Sequence, residues 1–191
     1  KLAEFWQHVE ALGFLCGYEK QARAAEEAAN TLAAEKLADL HNAIKATGYP
    51  DADLEALLVR LLFCLFADDT ELFGEPGAFL HLVEDTRADG DDLGGKLDTL
   101  FRALDLPHDQ RKGNAYAKLA GFPYVNGELF KIRLEPCGFD APARRALIDC
   151  AAIDWAEISP DIFGSLFQAI MHFDDEAAHG KTKKRREFGA H

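Results

Sequence analysis

The sequence predicts a mainly α-helical protein, a bundle of about seven helices that carries one small β-hairpin. Apolar residues recur at helical spacing along most of the chain, and a central segment, residues 51–69, is apolar on nearly every face. An Asn-Gly pair between apolar residues is typical of a hairpin turn. Because the chain has 191 residues and 48% of them are hydrophobic, it can form one domain with a sizeable core.

The first 47 residues predict a short helix, a break and a long helix. The short helix rests on the apolar residues Leu2, Phe5, Trp6, Val9 and Leu12. Gly13 and Gly17 then favour a short strand or turn over residues 13–18. From residue 19 to 47 the sequence is alanine-rich and charged, with one apolar stripe of Ala33, Leu37, Leu40 and Ile44. Gly48 and Pro50 are expected to end this helix.

The next elements predict the centre of the bundle. Asp51 is a candidate N-cap for the apolar helix over residues 51–69, which we expect to be buried on all sides. Two further helices are predicted over residues 78–86 and 92–104, followed by a loop over residues 105–121. The hairpin is predicted over residues 122–130, with Asn126 and Gly127 at its turn.

Two more helices are predicted after the hairpin. Asp140 and Pro142 begin one that extends to about residue 152. Ser159 and Pro160 begin another, whose apolar face is formed by Ile162, Phe163, Leu166, Phe167 and Ile170.

Charge is distributed unevenly between the body and the carboxyl end. The net charge is −12, but residues 181–191 contain five basic residues and one acid, which leaves −16 for the rest. The basic residues are Lys181, Lys183, Lys184, Arg185 and Arg186. An acidic body disfavours general binding to nucleic acid, whereas this basic stretch could contact a phosphate backbone locally. The alternative is a solvated linker.

The cysteines indicate a reducing, cytoplasmic environment. Cys16, Cys64, Cys137 and Cys150 lie among apolar neighbours and form no C-x-x-C pair, so neither a disulfide framework nor a zinc site is expected. The longest apolar run, residues 61–67, is far shorter than the roughly 20 residues that span a bilayer, so no membrane partner is expected. No initiator methionine opens the chain, and we therefore expect it to be a piece of a longer protein.

Two sequence patterns resemble ligand-binding sites, but neither is sufficient to assign a site. Residues 90–96 have the spacing of a phosphate-binding loop, but Leu97 stands where a hydroxyl would hold Mg²⁺, and no strand leads into the loop. His172, Asp174, Asp175 and His179 could form a metal site, but acids and histidines on a solvated turn are far more common. Adjacent acids such as Asp68 and Asp69 are expected at helix ends. We assign no catalytic residue and no metal site.

Several segments, in order, resemble one protein family. They are LVRLLFCLFADDT (residues 58–70), FPYVNGELF (122–130), FD (139–140), DW (154–155) and ISPDIFGSLFQ (158–168). Together they resemble the helicase-spacer segment of large restriction–modification proteins of the MmeI kind, over roughly residues 14–180. In that family the spacer lies between a nuclease domain and an adenine-N6 DNA methyltransferase domain.

The resemblance implies a division of the chain and a function. Residues 1–18 would end the preceding segment, residues 19–175 would form the helical spacer, and residues 176–191 would contain a basic linker and the start of the methyltransferase domain. Gly189, Ala190 and His191 resemble the opening motif of that domain, which continues in the family with residues absent here. The chain would hold no cofactor itself, while the parent protein would use S-adenosylmethionine, and Mg²⁺ if a nuclease is present.

The expected function is therefore a non-catalytic spacer that positions nuclease and methyltransferase domains on DNA. Its expected partners are DNA, through the parent protein, and the two flanking domains. The alternative is a free-standing helical module that binds a partner protein through the apolar face over residues 162–170.

Overall fold

The computed structural model describes residues 9–159, 161–166, 168 and 170, with side chains from residue 27 onward. Five α-helices have named bounds: α1 (Val9–Ala46), α2 (Asp51–Asp69), α3 (Ala78–Glu84), α4 (Leu93–Leu104) and α5 (Ala141–Ala151). Short 3-10 helices occupy His108–Gln110, Asn114–Leu119 and Trp155–Glu157. The backbone is helical again over residues 161–166. The predicted mainly helical fold is confirmed.

The long helix α1 corrects one prediction at the amino end. It runs without interruption from residue 9 to 46, through Gly13 and Gly17, where a strand or turn was expected. Each glycine costs a helix roughly 1 kcal/mol relative to alanine, and the strong helix formers that follow from residue 19 offset that cost. The predicted stripe is confirmed, because Ala33, Leu37 and Ile44 are fully or almost fully buried.

Helix α2 lies at the centre of the core, as its sequence predicts. Leu58, Leu61 and Leu62 on different sides of this helix have no exposed surface. Helix α5 packs along α1 and α3, and α2 also contacts α1, α3 and the 3-10 helix Trp155–Glu157. Trp155 is completely buried and donates its indole N–H to the carbonyl of Cys150 at 2.9 Å. No described helix combines the length and the apolar character required to cross a membrane.

The predicted β-hairpin is not present: residues 122–130 form bends and turns, and the described residues contain no strand. The reason lies in the hydrogen-bond partners of this backbone. The Val125 amide donates to Leu104 in α4 at 2.8 Å, and the carbonyl of Leu129 accepts from the Arg60 side chain. Backbone groups that bond to distant elements in this way do not form a cross-strand ladder.

The helix starts agree with the sequence at two of three positions. Asp140 caps α5 and accepts from the amide of Ala143 at 2.8 Å. Ser159 accepts from the amide of Ile162 at 3.4 Å. Asp51 is not an N-cap, because Pro50 occupies that position and Asp51 instead pairs with Lys45 at 3.2 Å.

The final predicted helix packs into the same core. Leu166 and Ile170 are buried, and the ring of Phe163 lies 4.9 Å from that of Phe66 in α2. Phe167, in the predicted apolar face, lies outside the described residues. The domain divisions predicted at residues 18 and 175 stay predictions.

Candidate functional site

The site residues predicted from the sequence lie outside the described residues. They are the basic residues Lys181, Lys183, Lys184, Arg185 and Arg186, and the motif residues Gly189, Ala190 and His191. The group His172, Asp174, Asp175 and His179 also lies there. The basic residues and the motif residues remain predictions, whereas the histidine and aspartate group was not assigned as a metal site, and the candidate site below is built from other residues.

The adjacent carboxylates at the end of α2 hold two other elements in place. Asp68 is 4% exposed and accepts from the amides of Phe79 and Leu80 at 2.9 and 3.1 Å, which caps α3. Asp69 accepts from the amide of Trp155 at 2.7 Å. Burial raises the pKa of Asp69, and the bond from Trp155 works against that shift. The pair therefore holds the starts of α3 and of the 3-10 helix Trp155–Glu157 in place, since carboxylates are favourable acceptors for the free amides at helix N-termini.

The phosphate-loop spacing over residues 90–96 is also explained by packing. A Cβ on Gly94 would lie 1.9 Å from the carbonyl oxygen of Cys137, and one on Gly90 would lie 2.7 Å from that of Asp140. Both glycines thus admit the backbone of residues 137–140 against α4. The Lys96 ammonium bonds to Asp85 and lies 3.4 Å from Asp92.

A buried arginine lies near the same face of α4, where Arg60 lines one pocket with Gly94 and Cys137. Arg60, on α2, is 3% exposed, and its guanidinium lies 5.5 Å from the ring centroid of Phe101 and 5.7 Å from that of Phe130. It donates to the carbonyls of Leu129 at 2.9 Å and Ile132 at 2.6 Å. Two carbonyls and two aromatic faces thereby replace water around the buried charge.

A second arginine holds the start of the same segment. Arg111 donates to the carbonyls of Leu119, Phe122 and Pro123, at distances of 3.2, 2.6 and 2.8 Å. Burial lowers the pKa of Arg111 and of Arg60 from the usual arginine value. At the far end of the segment, the Tyr49 hydroxyl donates to the carbonyl of Glu135 at 2.7 Å.

Residues 121–140, termed here the arginine-held loop, therefore form a long segment without helix or strand that is fixed at several points. Irregular connections longer than about 12–15 residues are uncommon in compact domains and are usually either functional or disordered linkers, and the bonds above fix this one in place. Ile132 is 70% exposed and Tyr124 is 39% exposed on this loop. The arrangement can present side chains to a partner in a fixed geometry, and we take it as the candidate functional site.

An open cleft of about 580 Å³ lies between α3, α4 and the 3-10 helix Asn114–Leu119. Its walls include the apolar residues Leu82, Leu119 and Phe122. Lys96 and Lys118 line it as well, but both approach the carboxylate of Asp85 at 3.5–3.6 Å. Since the lysine charges already have partners, the cleft offers no strong anion site.

The buried thiols are poor nucleophiles. Burial raises the pKa of Cys137 and of Cys150 to about 12, and it raises the pKa of Cys64 as well. Such thiols stay protonated near neutral pH, whereas nucleophiles and metal ligands are thiolates. Among the residues that the structure describes, no group of histidine, cysteine and acidic residues could hold a metal ion.

Reasoning from the sequence missed the arginine-held loop. A signal was present, because Arg60 is the one charged residue in the apolar run over residues 56–67. Arginine is almost never fully buried unless it has partners, so its position predicted a polar contact inside the core. The identity of those partners, 69 and 72 residues further along the chain, had no local signal.

Comparisons with known proteins agree with the resemblance seen in the sequence. Residues 52–130 match the family described as MmeI, helicase spacer domain. A solved structure of the type IIL restriction–modification enzyme MmeI in complex with DNA superposes with a TM-score of 0.65 at 49% identity, covering 72% of this chain and 18% of that one. DNA methyltransferase A of Bacillus subtilis (strain 168) is 35% identical over 159 residues, 81% of this chain. The chain spans 18% of that relative's length.

Proposed function

From this similarity to the helicase spacer domain of MmeI, we propose that the chain is a non-catalytic helical spacer of a restriction–modification protein with DNA methyltransferase activity. The match over residues 52–130 carries the proposal. It covers α2 from its second residue, the whole of α3 and α4, and residues 121–130 of the arginine-held loop. In the longer protein the spacer positions a nuclease domain and an adenine-N6 methyltransferase domain on DNA.

The packing of the described helices supports a positioning role. A spacer that sets a distance must deform little under thermal motion, and a flexible linker would spread that distance. Here α2 contacts α1, α3 and the 3-10 helix Trp155–Glu157, and side-chain hydrogen bonds of Asp68, Asp69 and Arg60 join parts of the chain that are far apart in sequence. Connections of this kind suit a body that moves as one piece.

The proposal assigns ligands to the parent protein and not to this segment. S-adenosylmethionine would bind in the methyltransferase domain, with Mg²⁺ in a nuclease domain where one is present. The residues Lys181, Lys183, Lys184, Arg185 and Arg186 would contact DNA phosphates. Gly189, Ala190 and His191 would begin the methyltransferase domain. The enzyme would act in the cytoplasm, where its DNA substrate lies.

The alternative function, a free-standing module that binds a partner through residues 162–170, has less support. Leu166 and Ile170 are buried in the chain's own core, and Phe163 contacts Phe66. A partner would have to displace these contacts to reach the face. The gene sequence after His191 separates the two functions, because the spacer requires a methyltransferase domain there and the module requires none.

The positioning role is tested by measuring a distance in the full-length protein. Spin labels on the nuclease and methyltransferase domains should give a narrow distribution in pulsed electron paramagnetic resonance. Replacing residues 51–159 with a Gly/Ser linker of similar reach should broaden it strongly, since such linkers behave as random coils. An equally narrow distribution with the linker would rule out the positioning role. A variant with Leu32→Ser, on the exposed side of α1, serves as the control and should leave the distribution unchanged.

A further inference from the structure

Helix α1 continues well to the amino side of its buried stripe. Its 38 residues rise about 57 Å, whereas α5, which packs along it, has 11 residues and a length of about 16 Å. Among the side chains of α1 that the structure describes, Ala29 is the first that packs on the core, and Ala33 is the first that is buried. Glu27 and Ala28, directly before them, are exposed. The backbone is nevertheless helical throughout residues 9–28.

The face that carries the buried stripe becomes charged in this direction. From Ala33 to Ile44 the stripe residues lie three or four apart, so the same face continues toward the amino end at positions 29, 26, 22 and 19. Glu26 and Glu19 occupy two of these positions, and alanines occupy the other two. A carboxylate without a partner is costly to bury. We therefore expect the contact between α1 and the core to end near Ala29.

Residues 19–28, termed here the bridge, have the composition of a solvated helix. They comprise four alanines and six charged or polar residues, with no larger apolar side chain. All ten are strong helix formers, and Glu19, Arg23 and Glu27 follow one another at the four-residue spacing of helix-stabilising ion pairs. A helix that lacks an apolar face and is stabilised in this way can connect two domains through solvent. Sequences of this kind act as semi-rigid spacers that extend about 1.5 Å per residue.

Large apolar residues return on the amino side of the bridge. Leu12, Phe14, Leu15 and Tyr18 are spread over several sides of the helix, since each residue turns it by about 100°. A helical segment that is apolar on several sides is typically buried. The bridge separates Tyr18 from Ala29 by about 16 Å along the helix axis. We therefore expect the apolar segment to be buried in a domain other than the spacer core.

We propose that the bridge is a solvated helical connection that holds the domain on its amino side at a fixed distance and angle from the spacer core. In the proposed function that domain is the nuclease. The inference rests on the proposed function and names the element that sets the separation. A continuous helix fixes both quantities, because each residue adds about 1.5 Å of rise and about 100° of rotation.

Insertions into the bridge of the full-length protein test this inference. Pulsed electron paramagnetic resonance measures the distance from a nitroxide on the nuclease domain to one at Arg145, exposed on α5, both attached through p-acetylphenylalanine. A second copy of residues 22–28, inserted after Ala28, adds about 10 Å of helix and turns it by only about 20°. We expect the mean distance to shift by about 5–10 Å and the distribution to stay narrow.

A Gly/Ser insertion of the same length at the same position is the matched control. It should broaden the distribution, since such linkers behave as random coils. Urea denaturation of the spacer should be the same for both insertions, because they lie outside the packed part of α1.

An unchanged mean with the helical insertion would overturn the inference, and so would a narrow distribution with the Gly/Ser insertion. Either result would show that direct contact with the core, and not the bridge, holds the nuclease domain. The positioning role itself would survive both results, because it depends on the Gly/Ser replacement of residues 51–159. A protein with no nuclease domain on this side would overturn the proposed function as well.

Solvent access along the bridge tests the inference without changing its length. Nitroxides placed singly at positions 20 to 28 of the full-length protein should be relaxed by a nickel chelate at similar rates. We expect these rates to lie within about twofold of those at Leu32 and Ala34, which are exposed on the packed half of α1. Minima at every third or fourth position would show that one face of the bridge is covered, and would overturn its role as a solvated connection.

Discussion

The helical core and the arginine-held loop are held in place by different interactions. In the core, apolar side chains of α2 such as Leu58 and Leu61 are fully buried, and the backbone bonds are local to each helix. In the loop, the backbone carbonyls of residues 122, 123, 129 and 132 accept bonds from Arg60 and Arg111. Side chains from elsewhere in the chain therefore supply hydrogen-bond donors to the loop's carbonyls, as backbone amides supply them within each helix of the core.

This difference shows how an irregular segment can be rigid. A backbone carbonyl that is removed from water needs a partner, and regular secondary structure is only one source of partners. A planar guanidinium with five donors can serve several carbonyls at once. The loop thus gains a fixed shape and also keeps side chains such as Ile132 free to face outward.

The largest effect is expected from removal of the arginine that carries the loop. Arg60→Met deletes two bonds to carbonyls and two cation–aromatic contacts, and should lower the free energy of unfolding by about 4 kcal/mol. Arg60→Lys keeps the charge but loses the fork, so a smaller loss is expected. Urea denaturation measures both. A methionine variant as stable as the wild type would show that the loop does not depend on Arg60.

A smaller loss of stability is expected from a change at Gly94, where α4 lies against the arginine-held loop. Gly94→Ala places a Cβ against the carbonyl of Cys137 and should cost about 3 kcal/mol. Gly95→Ala, one residue further along α4, meets nothing within 4 Å and should stabilise the helix by about 0.5–1 kcal/mol. In thermal unfolding, the melting temperature should fall for Gly94→Ala and rise for Gly95→Ala. Equal effects would mean that the loop is not packed tightly against α4.

A capping change tests a carboxylate that belongs to the helical core. Asp68→Ala leaves the amides of Phe79 and Leu80 without their acceptor and should cost about 2 kcal/mol. Asp68→Asn keeps one acceptor oxygen and should lose less. Urea denaturation measures the two losses, and amide exchange at Phe79 should quicken in both variants. An alanine variant with unchanged stability would argue against capping by Asp68.

The smallest effect is a change in pH dependence at Asp69. Burial raises the pKa of Asp69 in the folded state, so the folded protein binds this proton more tightly than the unfolded chain does. The contribution of Asp69 to stability therefore falls as pH rises from its unfolded pKa to its folded pKa. Asp69→Asn removes that contribution. The stability of the wild type relative to this variant should therefore be greater at pH 4 than at pH 7 in urea titrations. The opposite slope would contradict the burial of Asp69.

The sequence predicted the helical region well because its information is local. The stripe through Ala33, Leu37 and Ile44 and the cap at Asp140 are each contained in one element. The hairpin prediction was wrong because the Asn-Gly signal at residues 126–127 describes only a turn, while the strands on either side depend on distant partners. The loop's partners, Arg60 in α2 and Arg111 after the 3-10 helix His108–Gln110, lie elsewhere in the chain, and the resemblance to a spacer family carried no information on these contacts.

Amide hydrogen exchange tests most directly whether Arg60 makes the loop a fixed part of the body. The Val125 amide, bonded to Leu104, reports on the loop, and the Leu61 amide, within α2, reports on the core. In the wild type we expect Val125 to exchange slowly. In Arg60→Met exchange at Val125 should become about a hundredfold faster relative to that at Leu61 than in the wild type, because the loop then opens locally while α2 exchanges only on global unfolding. Equal changes at Val125 and Leu61, or none at Val125, would contradict the central claim that this arginine holds the loop.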